Sequence, residues 1–165
     1  MIPKKIESAM NEQVQKEFAS AYLYLAMSAW ADANSWPGMA SWLRAQWEEE
    51  IAHGMRFYTF ITDRGGRVDL KALEAPDSKF SSPLDIFERA LANEQKVTSS
   101  INDLYELAQN QKDFASYPLL DWFASEQVEE ENSVGQIVDD LRRVGESSEA
   151  LLLIDHRLST RGATP

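Results

Sequence analysis

Apolar residues recur at the three- and four-residue spacing of a helix over four stretches, at about residues 5 to 33, 36 to 64, 83 to 110 and 113 to 144. Breaker residues separate them. Ser35 is a candidate N-cap for the second stretch, with Pro37 in its first turn, where a missing N–H does no harm. The second stretch is expected to stop at Gly65-Gly66. Ser82-Pro83-Leu84-Asp85 offers the third a cap, a proline at the first helical position and early negative charge. Asp113 is the candidate cap of the fourth, and Pro118 predicts a later start or a distorted first turn there. The first connection is tight and makes helices one and two antiparallel. Residues 65 to 82 form a much longer connection than helix pairs usually need. Helices of about 29 residues are ~43 Å long, and this segment can span up to ~60 Å when extended. A full-length crossover fits and makes helices two and three parallel.

The pattern predicts an all-α fold: a four-helix bundle over residues 1–145 with one long crossover, and a short fifth helix and tail over 146–165 belonging to the same domain. Within 148–159, Leu151, Leu152, Leu153 and Ile154 are apolar all round, which suggests burial against other subunits.

The predicted core seams carry the chemistry. The first reads Ile6, Met10, Gln13, Glu17, Ser20, Tyr24, Met27, and the second Trp36, Ala40, Leu43, Trp47, Glu50, Gly54, Phe57, Ile61. The third reads Leu84, Phe87, Leu91, Glu94, Thr98, Ile101, Tyr105, Ala108, and the fourth Ser116, Leu120, Phe123, Gln127, Glu130, Val134, Ile137, Leu141. One buried polar residue is most simply a device that fixes register. Here Glu17, Glu50, Glu94 and Glu130 all lie near the midpoints of their helices, so folding gathers four carboxylates at one height. Burying unpaired charge costs several kcal/mol per group, and a bound divalent cation removes that penalty. His53 shares a face with Glu50 at i+3. The halves also look duplicated, since Glu17 to Glu50 and Glu94 to Gln127 are both 33 residues.

Composition narrows the metal. The 165 residues contain no cysteine, which leaves oxygen and imidazole as ligands and excludes thiolate and iron–sulfur sites. Hard oxygens with one imidazole suit iron or manganese, with zinc as a competitor. A net charge of −11 argues against nucleic acid and anionic membranes as partners. No window is apolar enough to span a membrane, and the opening Met1 to Met10 lacks a secretory pattern, so a cytoplasmic location is expected.

These residues resemble a ferritin of the bacterial non-haem type over nearly the whole chain. The resemblance rests on Asn11-Glu12-Gln13, Glu17 with Tyr24 seven residues on, Glu49-Glu50-x-x-His53, Glu94, Trp122 and the run Ser125-Glu126-Gln127-x-Glu129-Glu130. The crossover and fifth helix agree with it. It implies iron storage with ferroxidase activity, in which Fe(II) is oxidised by O2 or H2O2 at a di-iron centre and kept as ferric mineral in a 24-subunit cage. By the same resemblance, Glu17, Glu50 and His53 hold one iron, and Glu50, Glu94 and Glu130 the second, with Glu50 bridging. Gln127 is a weak or indirect ligand, Glu49, Glu126, Glu129 and Glu130 match a third iron site, and Tyr24 donates a hydrogen bond or an electron.

The departures are informative. Bacterioferritins, rubrerythrins and many di-iron oxidases repeat Glu-x-x-His in the second half, where this chain has Gln127-x-x-Glu130. Ile51 and Ala52 stand where bacterioferritins place a haem-ligating methionine, so no haem is expected. Near Tyr117 and Leu120 the acidic entry residues of animal ferritins are absent. Two other classes stay open on the residues alone: an oxidase that keeps its di-iron cofactor, and a metal-free helical interaction module.

Overall fold

The computed structural model describes residues 1–160; the end of the tail expected at 146–165 lies outside them. Five helices run α1 (Lys4–Ala33), α2 (Pro37–Asp63), α3 (Pro83–Asn110), α4 (Tyr117–Val144) and α5 (Ser148–Leu158), with one 3₁₀ turn at Phe114–Ser116. No described helix is long and apolar enough to cross a membrane.

Helix ends show how local chemistry sets the boundaries. Ser35 takes φ 64°. It closes α1, because its N–H reaches Asp32 O and that of Trp36 reaches Ala31 O. The expectation that Ser35 caps α2 is therefore corrected: it serves the preceding helix, and Trp36 occupies the α2 cap position with no side-chain hydrogen bond. Gly65, at φ 69°, ends α2 in the same way, as expected, with Gly66 N–H bonded to Ile61 O. Ser82 caps α3 by accepting from Asp85 N–H at 3.1 Å. Asp113 does not cap α4. Both of its carboxylate oxygens go to Arg64, each at 2.7 Å, and Oδ2 also accepts from Ser116 Oγ. An ion pair to a guanidinium outcompetes a capping bond. The 3₁₀ turn delays α4 until Tyr117, so Pro118 falls in its first turn.

Residues 65 to 82 run back along α1. Asn11 holds them by donating to Arg67 O and accepting from Asp69 N–H, and Gln15 donates to Ala72 O. The return makes α2 and α3 parallel, while α1 and α3 are antiparallel, as Gln13–Ser100 and Ser20–Asn93 hydrogen bonds show.

The core is split into two apolar plugs. One, around Met27, Leu43, Phe87, Val134 and Leu141, fills one end. The other, around Met10, Phe57, Ile61, Ile101, Leu120 and Phe123, fills the opposite end. Each such side chain contributes about 1.5–3 kcal/mol on burial. Polar seam residues lie between the plugs, so the apolar packing holds four helices together around a layer that opposes folding.

Only half of α5 fits its all-round apolar pattern within the chain. Ile154 and Leu158 are buried against the bundle, whereas Leu152 and Leu153 remain 59% and 71% exposed. Asp155 secures the docking, accepting from the N–H groups of Gly38 and Met39 at 3.1 and 2.8 Å and so capping α2 from a distant segment. Gly38 permits this approach, since a Cβ there would lie 1.7 Å from Asp155 O. Asp155→Ala should lower stability by about 0.5–2 kcal/mol, and Gly38→Ala by about 1–3 kcal/mol through displacement of α5. Urea unfolding with tryptophan fluorescence measures both; a Gly38→Ala chain as stable as wild type would show that α5 does not depend on this contact.

Candidate metal centre

Glu17 on α1 faces Glu50 and His53, which lie one turn apart on α2. Ligand atoms of these three residues all lie within 4.8 Å of one another, and all three side chains are buried. His53 also joins Glu126 and Glu130 of α4 in a second group within the same limit. Its Nδ1 is 3.8 Å from Glu50 Oε2 and its Nε2 is 3.9 Å from Glu126 Oε1. A metal held on Nδ1 would leave the proton on Nε2, the side of the ring that faces Glu126.

Glu94 belongs to neither group of three. Tyr24 donates its hydroxyl to Glu94 Oε1, and Gln127 Nε2 lies 3.3 Å from Oε2 and 3.2 Å from the Glu94 carbonyl. Gln127 is thus a donor to Glu94, supporting a carboxylate. Glu130 accepts from Gln46 Nε2 at 2.8 Å, and Glu17 accepts from Gln13 Nε2 at 2.8 Å. Glu49 is half-buried, and its charge acts on both Glu50 and Glu130. Glu129 is exposed and lies outside both groups.

Sequence reasoning missed Gln46, which is fully buried one turn before Glu50, just off the expected seam. Its position at i−4 from Glu50 was the available signal. Thr98, present in the seam, links Gln127 to Glu131. Aromatic rings fill the space between α2 and α4: His53 meets Trp122 and Phe123 edge-on, Phe57 stacks on Phe123, and Arg56 lies 3.8 Å over Trp122.

Glu17 Oε2, both Glu50 oxygens and His53 Nδ1 are buried without a hydrogen-bond donor or acceptor. In a native core such atoms are rare, and these four come from residues that share one small space; the other one among the described residues is Oε1 of Gln46, whose amide donates to Glu130. Burial pushes Glu17 well above the ordinary carboxylate range, and the neighbouring Glu50 adds to the shift. Glu50 rises well above it too, through burial and then the charges of Glu94 and Glu130. Burial raises Glu94, partly opposed by the Tyr24 and Gln127 hydrogen bonds. Glu130 is pushed up to about 7 by burial and by Glu94. Glu17 and Glu50 are close enough to share a proton; once both ionise, neither can donate. A divalent cation bound here satisfies the orphaned oxygens and the imidazole while displacing protons.

Known proteins match this arrangement. The Ferritin-like domain family matches residues 7–144. The chain belongs to the ferritin family. Bacterial non-heme ferritins of Staphylococcus epidermidis and Staphylococcus saprophyticus are 40% and 42% identical over 161 residues, each covering 98% of this chain, and 97% and 96% of the relative. An open-pore ferritin of the hyperthermophilic archaeon Archaeoglobus fulgidus superposes with a TM-score of 0.95 at 45% identity, covering 96% of this chain and 98% of that one. A humanized archaeal ferritin gives 0.97 at 44% identity over the full length of both. The family thus combines with a buried carboxylate–histidine cluster able to hold a metal.

The pH dependence of this ferritin's metal-free form follows from the raised carboxyls. Folded Glu130 holds its proton up to about 7, against 4.5 for the ordinary group. The folded chain therefore binds more protons than the unfolded chain across that window, and stability falls as pH rises through it. Glu17 and Glu50 extend the fall upward. Chelator-treated protein unfolded in urea at a series of pH values should lose stability between about 4.5 and 7. A redox-inert divalent cation should reverse the trend, and a metal-free stability that rises over this window would refute it.

Proposed function

We propose that this chain is a cytoplasmic iron-storage ferritin subunit that oxidises Fe(II) within its own bundle. The observation that carries the reading is the set of buried, unpartnered ligand atoms on Glu17, Glu50 and His53. A metal-free interaction module has no use for them, because hydrophobic replacements would pack there without an electrostatic penalty.

In this reading Glu17, Glu50 and His53 receive one Fe(II). Glu50, which has an oxygen to spare and no donor of its own, bridges to a second ion held with Glu94 and Glu130. Glu126 lies beside His53 and is better placed than the exposed Glu129 to take part in a third site with Glu49 and Glu130. Two Fe(II) give up two electrons, which with two protons reduce O2 to H2O2, or H2O2 to two waters. Carboxylate oxygens favour the ferric product by matching its higher charge. Tyr24 holds Glu94 in place through its hydroxyl. Gln127, which donates to Glu94, leaves the second half of the site with weaker ligation than a histidine would supply, which suits release of ferric product to a mineral store. The chain carries no methionine between Glu50 and His53 for haem ligation. The exposed Leu152 and Leu153 of α5 support assembly with further copies, in a 24-subunit cage by likeness to ferritins.

Aerobic addition of Fe(II) to apo-protein, followed by ferric absorbance and then iron content of the soluble particle, tests the proposal. Wild type should oxidise Fe(II) well above the buffer rate and accumulate on the order of hundreds of irons per assembly, whereas saturation at about two per chain would indicate a retained di-iron cofactor. Glu50→Ala should reduce the oxidation rate by at least ~100-fold while keeping the helical circular dichroism. Retained oxidation in that variant would remove Glu50 from the chemistry.

A further inference from the structure

On the side of the bundle where α1 meets α3 and the crossover, a cavity of about 440 Å³ opens to solvent. Leu23, Ala75, Pro76 and Val97 give it a largely apolar wall. Its charged lining residues are Lys16, Lys96 and Glu74, so it carries more positive than negative charge. Ser20 and Asn93 form its inner end, joined by a hydrogen bond from Asn93 Nδ2 to Ser20 Oγ of 3.0 Å.

This inner end adjoins the carboxylates. Asn93 immediately precedes Glu94 on α3. Ser20 stands one turn before Tyr24, whose hydroxyl goes to the Glu94 carboxylate. Ser20, buried on α1 between Glu17 and Tyr24, therefore stands between the cavity and the centre. The chemistry of the walls selects what can use it. Two ammonium groups outnumber the single carboxylate, Glu74, so the lining repels an approaching cation on balance, and the apolar walls add no further oxygen ligands. By contrast, Glu49, Glu126 and Glu129 are borne on α2 and α4, the other pair of helices. A small uncharged molecule has no such barrier at the α1–α3 cavity.

We propose that this cavity is the port through which a small uncharged oxidant, dioxygen or hydrogen peroxide, reaches the carboxylate centre, with the Ser20–Asn93 hydrogen bond as its inner gate. The inference rests on the ferroxidase reading. It separates the paths of the two substrates: oxidant enters between α1 and α3, and cation does not.

Ala19→Trp and Ala75→Trp each place an indole at the cavity, one from a helix and one from the irregular crossover, without replacing a residue of the centre. Initial oxidation rates at limiting dioxygen, and separately at limiting peroxide, should fall about tenfold in both variants and recover at saturating oxidant. Anaerobic Fe(II) binding should keep its wild-type rate and stoichiometry, and Ala124→Trp on exposed α4 should behave as wild type. A fall with one oxidant alone assigns the port to that oxidant. Crystals under xenon, an apolar stand-in for dioxygen, should show an atom in the wild-type cavity and none in the variants. Wild-type oxidation rates at limiting oxidant in both filled variants, an empty wild-type cavity under xenon, or slowed anaerobic Fe(II) binding in place of slowed oxidation would each overturn the port. A wild-type chain that fails to oxidise Fe(II) overturns the ferroxidase reading itself, and the wild-type trace alone distinguishes that case.

Discussion

Four carboxylates buried at one level of a helical bundle repel one another, and water is too far away to screen them. The packing on either side of them and the donors around them accommodate that repulsion. Apolar plugs at both ends supply the attraction that keeps the helices together. Amides and a phenol give donors to three of the acids: Gln13 to Glu17, Tyr24 and Gln127 to Glu94, and Gln46 to Glu130. Glu50 receives no such donor. The arrangement leaves one acid whose charge only a cation or a proton can balance, and it is the acid at the centre of the cluster.

This division of labour explains how a layer that disfavours folding persists. The plugs are close-packed and lie on either side of the centre, so the strain of the polar layer is confined to about two helical turns. Stability resides where function is absent, and the functional level is held short of its own electrostatic optimum.

Much of this was legible in the sequence because the seam rule works where a helix buries one narrow stripe. Every seam residue expected on α1 and α4 is buried. On α2 and α3 the same rule was only partly right. Trp36, Trp47, Leu84 and Leu91 are partly exposed, while Trp42, Gln46, Ala90 and Val97 are buried. Burial on these two helices extends beyond one narrow stripe to neighbouring positions. Gln46 was lost for that reason. Ser35 and Asp113 were misread because a capping residue type fits two helices or an ion pair equally well by sequence, and tertiary geometry decides between them. The carboxylates themselves were visible as charges in a stripe that otherwise excludes charge. The grouping of Glu17 and Glu50 with His53 came from the resemblance, whereas the approach of Glu126 and Glu130 to His53 was not legible, because it depends on side-chain direction across α2 and α4.

The contact between Asp155 and the first turn of α2 closes a loop of 117 residues. A chain emerging from the ribosome can wind α1 and α2 early, but the start of α2 keeps two open N–H groups until α5 has been made. That end of the bundle therefore cannot reach its finished form before then, so its completion is tied to the longest-range contact at the first turn of α2.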